Sequence, residues 1–247
     1  MAEAYERGRP GWPREAVAAL ADRFGLGADS TVVDLGAGTG KLTRLLCERA
    51  GRVIAVEPVP GMRAMLARRL PHVEAVDARA EALPVDASSV DLGVAGEAFH
   101  WFDSDRAVAE LARVLRPGGG VGLLWNVHAW TDHTHPWLAE VGATLRDHRT
   151  EAIIRHFTDQ DRWRSSFERS DAFEPVQLEH FHHEQRLDLD GFMAQLSSWS
   201  LVAGLPAPRR QAALAAVRRT VGADLERWGT AEVVIPYRTE LHWTTRR

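Results

Sequence analysis

Two carboxylates bracket a glycine-rich turn in this chain. Asp34 stands two residues before Gly36-Ala37-Gly38-Thr39-Gly40, and Glu57 follows Gly36 by 21 residues. Three glycines in five residues let the backbone turn tightly and approach a ligand with no Cβ in the way. The segment after them, Lys41-Leu42-Thr43-Arg44-Leu45-Leu46, reads as a helix whose first N–H groups point into the same space. A nucleotide-like ligand suits such a turn. The spacing is G-x-G-x-G, whereas a dinucleotide fingerprint is G-x-G-x-x-G.

Charge sharpens the choice of ligand. A fixed negative charge at Asp34 gains nothing beside a pyrophosphate but favours a cationic amino group or sulfonium. Glu57, followed by Pro58, ends the apolar run Val53-Ile54-Ala55-Val56, where an acidic residue accepts both hydroxyls of a ribose in doubly wound folds. This combination suits S-adenosylmethionine better than a nicotinamide dinucleotide. Helix or loop capping by Asp34 and a solvated strand end at Glu57 are the plain alternatives. A NAD-dependent oxidoreductase is the rival enzyme class, disfavoured by the glycine spacing and by the lack of a hydride-transfer constellation. A catalytically silent S-adenosylmethionine-binding protein is the other rival, because these residues speak for binding alone.

A second group, Glu97-Ala98-Phe99-His100-Trp101-Phe102, closes the strand that begins near Val90. A carboxylate at Glu97 attracts a sulfonium in a partly dry site. His100 is the candidate for acid–base or substrate-orienting work, since an imidazole titrates near neutral pH. The competing reading is a histidine that packs and holds the cofactor loop, and many methyl transfers need positioning alone. Trp101 reads as a pocket wall. Histidines recur at His133 and His135 and at His180, His182 and His183. Converging cysteines or an H-E-x-x-H helix are missing from their neighbourhood, so solvated surfaces are expected and no metal.

The elements that must hold these residues alternate. Helix signals cover 13–24, 40–49, 60–69 and 103–115, and short β-branched runs cover 31–35, 52–56, 72–76 and 90–94. Gly118-Gly119-Gly120 feeds a fifth strand at 121–125. The alternation predicts a doubly wound, mostly parallel α/β sheet with ligands at its C-terminal strand ends. After Asn126 the pattern breaks into a Trp-, His-, Asp- and Arg-rich stretch that reads as a helical elaboration. Two alternating runs, 176–187 and 232–244, suit an antiparallel closing pair. Between them lie a helix from about 189 and another over 207–221. The expectation is a single domain over 1–247: a lid and first helix at 1–30, a cofactor-binding core at 31–126, substrate and lid elaborations at 127–230, and a closing strand at 231–247.

The motifs, in their order, resemble those of class I S-adenosylmethionine-dependent methyltransferases, of the bacterial small-molecule kind similar to the trans-aconitate methyltransferases. Beyond the glycine turn, the elements that carry the resemblance are Tyr5-Glu6-Arg7-Gly8-Arg9-Pro10-Gly11-Trp12-Pro13, Ala80-Glu81-Ala82-Leu83-Pro84 followed by Ser89-Val90-Asp91-Leu92, the Ala98–Phe102 segment and Arg113-Val114-Leu115-Arg116-Pro117-Gly118-Gly119. The resemblance covers roughly the first 126 residues closely. It implies a Rossmann-like seven-stranded sheet with a helical lid insertion, S-adenosylmethionine as cofactor and S-adenosylhomocysteine as product. It implies that Tyr5 and Arg9 close over the cofactor, with Arg9 on the methionine carboxylate. It places Asp34 near the methionine amine, and the turn Gly36, Ala37, Gly38 and Gly40 around the cofactor. Glu57 and Pro58 come at the ribose, Arg79 and Ala80 at the adenine, and Glu97 and Ala98 by the sulfonium. The usual acidic residue before the Ala-Glu pair is Arg79 here, which suits ring stacking or a backbone contact from Ala80. Asn126, Trp130, Trp137 and Ser200 are the expected lining of the acceptor pocket, with Trp101. Nine tryptophans favour an apolar or aromatic acceptor, and the resemblance favours a carboxylate.

Composition narrows the partners. A formal charge of −4 speaks against a nucleic-acid substrate, and no run approaches the length of a membrane span. The lone cysteine, Cys47, falls in an apolar helical pattern and reads as a small buried hydrophobe. A cytoplasmic enzyme for a small-molecule acceptor, monomeric or homodimeric, is the expectation.

Overall fold

The computed structural model describes residues 8–128 and 162–247. They fall into two compact units. One comprises Gly11–Asn126, 162–181 and Thr239–Arg247, and the other holds 8–10, 127–128 and His182–Arg238.

The first unit is the doubly wound sheet. Strands β1 (Thr31–Leu35), β2 (Arg52–Val56), β3 (Glu74–Val76), β4 (Val90–Gly96) and β5 (Leu115–His128) alternate with helices α1 (Arg14–Arg23), α2 (Lys41–Leu46), α3 (Pro60–Arg69) and α4 (Ser104–Val114). β1 pairs in parallel with β2 and β4, β2 with β3, and β4 with β5. Because strand side chains alternate faces, Val33 and Leu35 of β1 enter one core with α4, while Val32 enters another with α1 and α2. Both faces are therefore covered, and the β1, β2 and β4 residues are nearly all buried.

Strands β6 (Gln177–Asp188) and β7 (Glu232–Thr245) complete the sheet in the order β3-β2-β1-β4-β5-β7-β6. The Gly118 N–H donates to the Arg246 carbonyl, whereas Asn126 meets Thr239, so β7 runs against β5. The alternating runs seen in the sequence are these two strands, and β7 is the antiparallel closing strand. Burial alternates along both, as half-covered strands require. A short helix, α5 (Arg162–Glu168), buries Trp163 and Phe167 against the α4 side of the sheet.

In the second unit α6 (Leu189–Ser198), α7 (Ser200–Ala203) and α8 (Ala207–Trp228) pack with the start of β7. Phe192, Leu196, Val217, Val221, Ile235 and Tyr237 form its core. The sequence suggests that α8 stops at Val221, before Gly222. It runs seven residues further, to Trp228, and ends on Gly229 in the left-handed conformation (φ +64°). A mid-helix glycine costs about 1 kcal/mol relative to alanine. Leu225 beyond it still reaches the same core, and Leu189 packs over the bare backbone of Gly222.

Candidate active site

Parallel pairing puts the C-terminal ends of β1, β2 and β4 at one edge of the sheet. The glycine turn, Glu57 and the Glu97–Trp101 segment all emerge there. The turn is anchored by Gly36 and Ala37, whose N–H groups donate to the Val56 carbonyl at 2.8 and 3.1 Å. Gly36, Gly38 and Gly40 all take positive φ (+67°, +58° and +88°), which side chains disfavour. A Cβ on Gly36 would stand 2.7 Å from the Ala98 Cβ, so the turn and the β4 end touch here. A Cβ on Gly38 would meet only Met62 Sδ, at 4.0 Å, so the turn faces open space at that point.

Glu57 is buried and its carboxylate is held from both sides. Oε2 accepts the Gly38 N–H and Oε1 the Val59 N–H, each at 2.8 Å. Each oxygen keeps a second lone-pair site, and a pair of vicinal hydroxyls fits that fork. Pro58 carries the chain from Glu57 into α3, whose Arg63 donates to the Glu57 carbonyl at 2.7 Å and to Asp77 at 2.9 Å. Asp34 lies beneath the turn, 1% exposed, and its Oδ2 accepts the Thr43 hydroxyl at 2.6 Å. Burial pushes its carboxyl up to about 7; the Thr43 bond opposes that shift and nearby Glu57 adds to it. Cys47 is half-buried on α2's far end, and burial raises its thiol.

At the end of β4, Glu97 holds a left-handed backbone (φ +54°). Its Oε1 accepts the Asn126 N–H at 2.8 Å. Ala98 and Phe99 are buried, and Trp101 is 62% exposed with its ring tilted against His100. The Trp125 Nε1–H donates to His100 Nδ1 at 3.2 Å. An indole N–H only donates, so Nδ1 is the unprotonated nitrogen and the proton sits on Nε2. In this tautomer His100 offers a donor at Nε2, not a base. Trp125 stacks on Trp163, and His242 meets both rings edge-on.

The remaining expected residues divide. Ala80 is buried, while the Arg79 side chain is 78% exposed and lies 3.6 Å from Glu81, so its guanidinium faces solvent. Arg9 donates to the Ser198 carbonyl at the end of α6, at 3.3 Å. The Asn126 side chain is engaged by Gly11 and Thr239. Tyr5, Trp130 and Trp137 lie outside the described residues, as does the Ser200 side chain. Sequence reading missed Thr43, Trp125 and the Val59 N–H. Their roles come from contacts across strands and turns, which residue type and spacing do not announce.

Residues 33–122 match the family model described as methyltransferase domain. This segment of the chain is similar to a methyltransferase domain. The matched segment takes in the glycine turn, Glu57 and Glu97, and in it the chain is similar to S-adenosylmethionine-dependent methyltransferases. An uncharacterized methyltransferase from Mycobacterium tuberculosis is 46% identical over 142 residues, covering 58% of this chain and 56% of that protein. An uncharacterized methyltransferase-like protein of Schizosaccharomyces pombe is 37% identical over 149 residues, covering 60% and 57%. The chain thus spans little more than half the length of these relatives. Over 96% of both chains it superposes on a protein from Anaeromyxobacter dehalogenans assigned as a type II methyltransferase, with a TM-score of 0.67 and 28% identity. S-adenosylmethionine is the family's cofactor, and the open glycine turn with the Glu57 fork fits it. Among the described residues, no helix is long and apolar enough to cross a membrane.

Proposed function

We propose that this protein transfers a methyl group from S-adenosylmethionine to a small-molecule acceptor in the cytoplasm. The observation that carries the reading is the Glu57 carboxylate, fixed by the Gly38 and Val59 N–H groups at the mouth of the glycine turn. The cofactor, when bound, supplies a methyl carbon activated by positively charged sulfur. The chain then has to align, match charge and exclude water. Glu57 accepts the two ribose hydroxyls, and the Gly36–Gly40 backbone comes close to the ligand. Asp34 orders the turn through Thr43 and, once ionised, answers the positive methionine amine. Glu97 places a second negative charge for the sulfonium. His100, locked by Trp125 with its proton on Nε2, donates a hydrogen bond that orients the acceptor. For Nε2 to take a proton from the acceptor, the imidazole proton would have to sit on Nδ1, and the Trp125 bond would have to break.

Residues 31–126 bind the cofactor in this reading, and the 127–230 elaborations select the acceptor. The net charge of −4 supports an acceptor other than nucleic acid. The tryptophan-lined surroundings of His100 support an acceptor with an apolar or aromatic body. The test is calorimetric titration of the purified chain with S-adenosylhomocysteine, repeated with Glu57→Ala. Micromolar binding weakened at least about tenfold by the substitution is expected, a loss of about 1.4 kcal/mol. A folded wild type that binds nothing would sink the methyltransferase reading. Binding without turnover across a broad acceptor screen would leave a silent cofactor-binding protein.

A further inference from the structure

Three residues at the segment boundaries of the cofactor-binding unit, Gly11, Asn126 and Thr239, are joined by one side-chain amide. Asn126 Nδ2 donates to the Gly11 carbonyl at 3.1 Å. A carbonyl only accepts, so this bond sets the amide's orientation and turns Oδ1 toward Thr239. The Thr239 hydroxyl donates to that oxygen at 2.6 Å. Thr239 is wholly buried and Asn126 nearly so, where a hydrogen bond is hard to exchange for water. The backbone N–H of the same Asn126 donates to Glu97 Oε1 at 2.8 Å, and the Glu97 N–H donates to the Leu124 carbonyl at 2.9 Å. Glu97 itself stays at φ +54°, a conformation that a residue with a side chain keeps only where its surroundings enforce it.

We infer that Asn126 and Thr239 are positioning residues: the hydroxyl–amide pair sets where the Glu97 carboxylate stands, and thereby how strongly the site prefers a cationic ligand to its neutral counterpart. The inference rests on the proposed S-adenosylmethionine site. Asn126 and Thr239 both lie outside the 33–122 segment matched by the family model. The chemistry offers a clean probe. S-adenosylmethionine carries a sulfonium and S-adenosylhomocysteine a neutral thioether on nearly the same skeleton. A carboxylate held at short range distinguishes them, and one allowed to swing toward water does so less. A residue that merely supports the fold weakens both ligands alike.

The experiment measures both dissociation constants, by calorimetry on the full chain, for the wild type, Thr239→Val, Thr239→Ser, Glu97→Gln and the Glu97→Gln/Thr239→Val double variant. Thr239→Val should cut the preference for S-adenosylmethionine over S-adenosylhomocysteine by about fivefold, and Thr239→Ser should restore it, because the hydroxyl returns. Glu97→Gln should cut it at least as far. Adding Thr239→Val to Glu97→Gln should then change nothing more, the non-additivity expected of two residues acting through one group. Equal weakening of both ligands by Thr239→Val, an unchanged preference, or additive effects in the double variant would each overturn the inference while leaving the cofactor site standing. A wild type that binds neither ligand would overturn the site and the inference together. If Thr239→Val does not fold, Glu97→Gln still decides: an unchanged preference there leaves nothing for the pair to position.

Discussion

Asp34 is shut away from water beside another buried acid, Glu57, and the cost of burying its charge dominates over the Thr43 bond. Its carboxyl rises from an ordinary 3.8 to about 7. Between those values the folded ligand-free protein holds a proton that the unfolded chain has lost. Stability drawn from this group is therefore complete below about pH 4 and disappears as the pH climbs through 7, by at most about 1.4 kcal/mol per pH unit. Asp34→Asn keeps an acceptor for Thr43 and removes the titration. Its stability relative to wild type should grow from pH 4 to 7 and level off above, while ligand affinity falls. Urea unfolding of both proteins at pH 5, 6, 7 and 8 checks this, and parallel curves would refute it. Such an exchange of stability for a charged site is common where function needs a strained group. The acid–glycine–acid spacing exposes Asp34 and Glu57 in the sequence, but not the Asp34 carboxyl's titration near neutrality, because desolvation depends on what the fold stacks over it.

At the scale of elements, two glycines of β5, Gly120 and Gly122, are packing residues. A Cβ on Gly120 would lie 2.4 Å from the Phe24 ring just past α1, and one on Gly122 would lie 2.6 Å from Leu20 of α1. The bare strand lets the helix settle against the sheet, as close helix–strand packing demands. Gly120→Ala should therefore cost about 1–3 kcal/mol, since an aromatic ring cannot yield as an aliphatic tip can. The midpoint of urea unfolding should fall, with S-adenosylhomocysteine affinity unchanged; an unshifted midpoint would contradict this packing. Strand and helix positions were legible because periodicity reports burial, and burial is what these elements share. The extension of α8 past Gly222 was not legible. Local propensity argues for a stop there, and Leu189 and Leu225, from two parts of the chain, argue otherwise.

For the whole molecule, a ligand that binds the folded chain alone must stabilise it by mass action. S-adenosylhomocysteine at 100 times its dissociation constant should add about 2.7 kcal/mol. In a chain of this size that raises the melting temperature by about 5–10 °C. Differential scanning fluorimetry reads the shift directly, and Glu57→Ala at the same ligand concentration should show much less of it. An equal shift in both proteins would place the ligand elsewhere. The two units have separate cores, so the melting profile also reports whether the ligand stabilises one of them or both.

The sequence by itself determined the sheet's alternation, the antiparallel closing pair, the glycine turn and the acids beside it. These follow from short-range rules: side-chain periodicity, the φ freedom of glycine and the placing of charge at strand ends. Tertiary structure alone decided that Trp125 holds the proton of His100 on Nε2, that Arg79 faces solvent, and that Asn126 spends its side chain on Gly11 and Thr239. Those partners stand 25, 115 and 113 positions apart in the His100 and Asn126 bonds. Hydrogen bonds are directional over about 3 Å, and only the folded backbone brings such distant groups within that reach.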